Sequence, residues 1–186
     1  MNNYYIYIKK IFTFILVIYF SLGSKVFGSE LDTLFVNLKN AQDSIIAKEF
    51  ENQIWNFWIN DSSNKNNRLK MKKGISLMQQ GKLDEALRLF TNLSTLDPNW
   101  AEPLNKRATI RYLQGDFYGS IRDIQLTLKL EPRHFGAIAG LAQINLALGK
   151  YKDSLKNLDY AISIYPYIRI RNLRPALLKM IEKSEI

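Results

Sequence analysis

GKLDEALRLFTNLSTLDP (residues 81–98) returns as GDFYGSIRDIQLTLKLEP (115–132) and again as GKYKDSLKNLDYAISIYP (149–166). Glycines 81, 115 and 149 and prolines 98, 132 and 166 keep a spacing of 34 residues. A fixed period of about 34 residues is the length of a helix–turn–helix solenoid unit. The glycine suits a left-handed cap at the end of a first helix. The proline stops the second, because it lacks a donor and restricts the residue before it.

In this register the first helix of each unit carries a small residue, Gly74, Ala108 or Ala142, and the second carries Ala86, Ser120 or Ser154. Small side chains at both points let the paired helices approach closely. Phe90, Ile124 and Leu158, with Leu83, Phe117 and Tyr151, supply the bulk that fills the gap to the following unit. Asp84 and Asp116 stand near helix starts, where a carboxylate meets the positive end of the dipole. Asn99, with Glu102 three residues on, reads as a capping pair opening the next helix.

This pattern resembles the tetratricopeptide repeat (TPR) over roughly 100 residues. The resemblance implies an all-α fold, a right-handed α-solenoid of three helix pairs at residues 67–100, 101–134 and 135–168. Lys70, Leu104 and Ile138 stand where the family places an aromatic residue. Lys73 and Arg107 replace an apolar residue, and Arg111 replaces a common tyrosine, so the second unit is unusually polar on its first helix. NKRAT (105–109) and LEPRHFG (130–136) resemble segments of small exported bacterial TPR proteins that have no assigned reaction.

The resemblance also implies a binding groove lined by first helices. Its positions here are Met71, Ile75 and Met78 in unit one. Unit two adds Asn105, Thr109 and Tyr112, with Arg107 marking the least generic repeat, and unit three adds Gln143 and Leu146. One TPR subclass grips acidic peptide C-termini with Lys, Asn and Arg. Met71, Ile75, Gly136 and Ala139 occupy places where that clamp needs polar or basic side chains, so the clamp is not expected. The groove reads as apolar and neutral, fit for an apolar or amphipathic segment of another protein. The alternative is that the chain's own terminal segments cover part of this strip, since large exposed apolar patches are unusual.

Outside the repeats, Leu31, Leu34, Phe35 and Leu38 form one helical stripe, and Ile46, Phe50, Ile54, Phe57 and Trp58, with Trp55, form a second. Residues 29–66 therefore read as a helix pair and polar loop that caps the first repeat, with the aromatics as core. Leu173, Leu177, Met180 and Ile181 mark residues 169–186 as a C-terminal capping helix, with Asn172 as N-cap ahead of Pro175. Residues 1–28 read as a signal peptide, with Lys9 and Lys10 before the apolar run Ile11–Leu22. Those twelve residues would span about 18 Å as helix, short of a ~30 Å hydrocarbon core. Cleavage is expected after Gly28, and export to the periplasm with it. The alternative keeps residues 6–22 as an uncleaved inner-membrane anchor that holds the repeats close to the membrane.

Composition narrows the chemistry. The chain has 186 residues, 47% apolar and 23% charged, enough for one domain with a real core. Its formal charge is +9, and without the first 28 residues 23 basic residues face 17 acidic ones. That balance is mild for a nucleic-acid binder. The basic run Arg68–Lys73 reads as a solvated helix face, and no nucleic-acid partner is expected. The absence of cysteine excludes disulfides, thiolate zinc sites and a cysteine nucleophile. There is one histidine, His134, expected to start a helix beside Phe135, and no nucleophile elbow, P-loop or paired metal-ligand motif. No enzyme, metal or cofactor is expected. A hydrolase with an unrecognised site is the alternative of another class.

Overall fold

The computed structural model describes residues 29–184. The chain divides into two compact units, residues 1–33 and 34–186, with the boundary inside the first helix. The signal and anchor readings for residues 1–28 lie outside the described residues.

Helix α1 (Glu30–Lys39) opens on a reciprocal cap. The Ser29 N–H donates to Asp32 Oδ2 at 2.9 Å, and the Asp32 N–H donates to Ser29 Oγ at 3.2 Å. Helix α2 (Ser44–Asn60) starts at Asp43, whose carboxylate accepts from the Ile45 and Ile46 N–H groups. Three helix pairs follow: α3 (Lys65–Gln79) with α4 (Leu83–Leu96), α5 (Ala101–Leu113) with α6 (Phe117–Leu130), and α7 (Phe135–Ala147) with α8 (Tyr151–Ile164). A 3₁₀ turn (Arg169–Leu173) leads into α9 (Arg174–Ser184). Asn172 lies inside that turn and so is not the N-cap of α9. Among the described residues there is no strand. The fold is the expected all-helical solenoid.

The turns inside the three pairs are built alike. Gly81, Gly115 and Gly149 have φ of 75°, 80° and 71°. In the first, the Gly81 N–H reaches the Met78 carbonyl and the Lys82 N–H reaches the Leu77 carbonyl. This 5→2 and 6→1 pair satisfies the last carbonyls of α3. The same two bonds recur at Gly115–Asp116 and Gly149–Lys150.

Close approach within each pair is reached in two ways. A Cβ on Gly74 would lie 2.7 Å from the Phe90 ring, so the glycine makes room for the largest of the three filler residues. In the other pairs the small side chains also bond. Ser120 Oγ donates to the Ala108 carbonyl at 2.8 Å, and Ser154 Oγ donates to the Ala142 carbonyl at 2.7 Å.

The junctions between units differ in character. Leu128 and Leu141 share one apolar cluster between units two and three. At the same register between units one and two stand Ser94 and Arg107, whose Nη1 donates to Ser94 Oγ at 3.0 Å. Arg107 also forks onto Asp123 through Nε (2.8 Å) and Nη2 (2.6 Å), and Arg111 Nη1 meets the same carboxylate at 2.9 Å. Asp123 is buried, and its charge is met by two guanidinium groups.

The N-terminal hairpin does not simply stack on the first repeat. Helix α2 runs across the turns that close all three units. Near its C-terminal end, the Trp58 carbonyl accepts from Trp100 Nε1 at 2.6 Å, after unit one. The Trp58 ring stacks on His134 with centroids 3.9 Å apart and planes 9° from parallel, after unit two. About two turns toward its start, Glu51 accepts from the Tyr165 hydroxyl at 3.1 Å, after unit three. Ahead of the helix, the Gln42 carbonyl accepts from Tyr167 at 2.8 Å. The seven residues from Glu51 to Trp58 rise about 10 Å, on the scale of helix-to-helix spacing in a stacked array. Phe35 on α1 packs against Trp58 and Phe135 from behind.

At the other end, Leu177 of α9 joins the cluster of Ala142 and Leu158, covering unit three. Met180, expected in the same stripe, is instead 40% exposed.

Candidate functional site

A cavity of about 240 Å³ lies between α5 and α7, on the face made by first helices. Its floor is small and apolar: Ala108, Gly136, Ala137, Ala139 and Gly140, backed by Ile124 and Ile144. Trp55 forms one wall. A Cβ on Gly136 would come within 2.6 Å of the Trp55 ring, so the glycine admits the indole. Asn105, Lys106, Thr109, Tyr112, Ser120 and Gln143 complete the lining.

Of the groove positions expected from sequence, Asn105, Thr109, Tyr112 and Gln143 come together here. The others do not. Met71 is 0% exposed in the core of unit one with Phe90, Trp100 and Ile110. Ile75 and Met78 pack against that cluster, as does Ile59 from α2. The expected use of Met71 as an open surface is therefore corrected to core, while Ile75 and Met78 lie half-buried at the edge of its cluster. Arg107 points into the junction between units one and two, where Asp123 and Ser94 take up its donors. Leu146 packs half-buried on the cluster around Leu158 and Leu177.

Beneath the cavity lies a buried polar group that sequence reasoning missed. Glu102 and His134 are both 0% exposed. His134 Nδ1 accepts from the Ala137 N–H at 3.1 Å, capping α7. Nδ1 therefore carries the lone pair, which assigns the proton to Nε2, 2.9 Å from Glu102 Oε2. The same carboxylate oxygen accepts from Asn105 Nδ2 at 3.0 Å. Lys106 Nζ sits 2.8 Å from Glu102 Oε1, an ion pair outside hydrogen-bonding alignment, and 4.6 Å from the centre of the Trp55 ring. Burial pushes the Glu102 carboxyl up. Lys106 and the His134 hydrogen bond more than offset this and hold it below the ordinary glutamate range. Glu102 therefore does not pair with Asn99 as a helix cap. Its spacing to Asn105 (i, i+3) and Lys106 (i, i+4) was the available signal, and nothing in the pattern pointed to His134.

The Glu102–His134 pair is sealed from solvent by Trp58, so it braces α5 against the start of α7 and does not present an acid–base pair to the cavity. Burial and the neighbouring Glu51 carboxylate likewise raise the Tyr165 hydroxyl above its usual range. Among the described residues no group of three or more His, Cys, Asp or Glu side chains is placed to hold a metal ion. No helix among them is long and apolar enough to cross a membrane.

No family model matches the chain. It is 35% identical over 136 residues to a TPR repeat-containing protein of Rhizobium etli, an alignment covering 73% of this chain and 66% of that protein. Solved structures of similar fold include MamA from Desulfovibrio magneticus, with a TM-score of 0.60 and 23% identity over 67% of this chain and 71% of that one. The first TPR of RPAP3, bound to an HSP90 peptide, gives a TM-score of 0.60 with 20% identity over 62% and 93%. SycD of Yersinia enterocolitica, in complex with a peptide of the translocator YopD, gives 0.55 with 17% identity over 68% and 96%. With three 34-residue helix pairs in register, the left-handed glycine ending each first helix, and this kinship in sequence and fold, the chain is a tetratricopeptide-repeat protein.

Proposed function

We propose that the protein is a non-catalytic adaptor or assembly factor of the bacterial envelope that holds an apolar or amphipathic segment of another protein. The cavity between α5 and α7 carries this reading. It is large enough for one bulky apolar side chain, and its floor offers no charge. Among the described residues, the Tyr112 hydroxyl and the Gln143 carboxamide make no hydrogen bond, which leaves them available to a bound backbone. RPAP3 and SycD, similar in fold, were solved with peptides, which supports a peptide as the occupant.

Gly140→Leu tests it. A Cβ at residue 140 meets only Ile124 Cδ1, at 3.5 Å, so leucine fills the cavity without a clash in the helix backbone. A photo-crosslinking residue in place of Gln143 should trap a partner in cells, and Gly140→Leu should abolish the adduct with the helical circular dichroism unchanged. An undiminished adduct would remove the cavity from consideration. On location, the reading places the mature protein in the periplasm with Ser29 as its first residue. Recovery of an intact N-terminus in the membrane fraction would replace this with the anchored form that retains residues 6–22.

A further inference from the structure

Stacking in the array follows one rule: a face made by both helices of a unit receives the second helix of the unit before. Arg107 of unit two reaches Ser94 on α4, and Leu141 of unit three shares a cluster with Leu128 on α6. The matching face of unit one carries Lys73, Leu77, Arg88 and Leu89. There α3 and α4 form an open depression of about 280 Å³, edged by Glu85 and Asn92. Lys73, Arg88 and Asn92 are exposed, Leu89 is half-buried, and Leu69, one turn before Lys73, is 55% exposed.

The charge around this furrow is predominantly basic. Helix α3 contains Lys65, Arg68, Lys70, Lys72 and Lys73 and no acidic residue. Lys65, Lys72 and Lys73 are exposed, and none of them has an ion-pair partner among the described residues. Glu85 is the single acid in the depression.

We propose that this end of the array docks an acidic amphipathic helix of a partner protein. The helix lies where a preceding unit's second helix would stack. Its apolar side covers Leu69 and Leu89, above the buried Leu77, and its carboxylates meet the α3 lysines and Arg88. A furrow between two helices fits a rod better than a plane, which favours a helix over a lipid surface. A second copy stacked head to tail would bring α9, with Arg174, Lys179 and Lys183 against Glu182, onto the same lysines, and basic would face basic. The surface is separate from the concave cavity and does not depend on it.

The probe is a fluorescein-labelled synthetic helix of about three heptads with leucine at the core positions and glutamate beside them. A twin carries lysine in place of glutamate. Anisotropy titration of the full chain should show binding of the acidic helix only. Reversing two exposed lysines, Lys72→Glu with Lys73→Glu, should weaken that binding about tenfold. Gly140→Leu should leave it unchanged, which separates this surface from the cavity. Equal binding of the two helices, full binding by the double variant, or binding only to phosphatidylserine vesicles would overturn the proposal. No binding of either helix would reduce the basic face to a solubilising end of the array, and would overturn it as well.

Discussion

Trp58→Ala should be among the most damaging single substitutions in this chain. The side chain is 2% exposed, stacks on His134, and touches Phe35, Trp55 and Phe135. Truncating a buried tryptophan to alanine costs about 3–5 kcal/mol. The bond from Trp100 goes to the Trp58 carbonyl, which alanine keeps, so the loss is one of packing and not of that hydrogen bond. Loss of the indole also opens the sealed Glu102–His134 pair to water, which argues for the upper half of the range. For a chain of this length a loss of about 4 kcal/mol lowers the melting temperature by about 8–16 °C. Thermal and urea unfolding followed by far-UV circular dichroism measure this directly. Trp58→Phe keeps a ring against the imidazole and should recover about half of the deficit. A loss below about 1 kcal/mol would mean that α2 does not pack across the turns, and the bracing argument would fail with it.

The Glu102 carboxyl and the Asp123 cluster yield two more tests. Because the folded state holds the Glu102 carboxyl below its ordinary value, the unfolded chain binds more protons there. Its stabilisation is complete above pH 4.5, the ordinary glutamate value, and is lost as pH falls through the folded value. Glu102→Gln should flatten the fall of urea stability below pH 4.5 while lowering stability at neutral pH. At the junction of units one and two, Asp123→Asn leaves Arg107 and Arg111 facing each other without their carboxylate and should cost about 3 kcal/mol in urea unfolding. Adding Ser94→Leu, Arg107→Leu and Arg111→Asn, the residues of the apolar junction in register or close to it, should restore most of that loss.

The periodic part of the molecule was legible because the same physical requirement recurs three times. Gly81, Gly115 and Gly149 must adopt positive φ, and Gly74, Ala108 and Ala142 must let a helix pass close. Non-periodic contacts left no such trace. Trp58, Trp100, His134 and Tyr165 are all aromatic residues at plausible core positions, and nothing in their spacing says that one helix joins them. That is also why Met71 read as groove: its register is that of a first-helix position, but Ile59 closes over the cluster it belongs to. Arg107 stood out only as a polar departure from the pattern, because nothing in the spacing ties it to Asp123, sixteen residues on. In the cavity, Asn105, Thr109, Tyr112 and Gln143 were legible as groove positions, while the Trp55 wall was not. It comes from outside the repeats.

Repeat arrays ordinarily form contacts only between neighbours, so they can nucleate anywhere and fray from their ends. Helix α2 removes that freedom. Its segment ties Gln42 to Tyr167, 125 residues away, and Glu51 to Tyr165, 114 residues away. A topology otherwise made of local pairings must therefore close a loop of nearly the whole array before the last bonds form, and distant closure of this kind slows folding. Once formed, the same tie makes partial opening costly, because releasing any one unit strains a helix held by the other two.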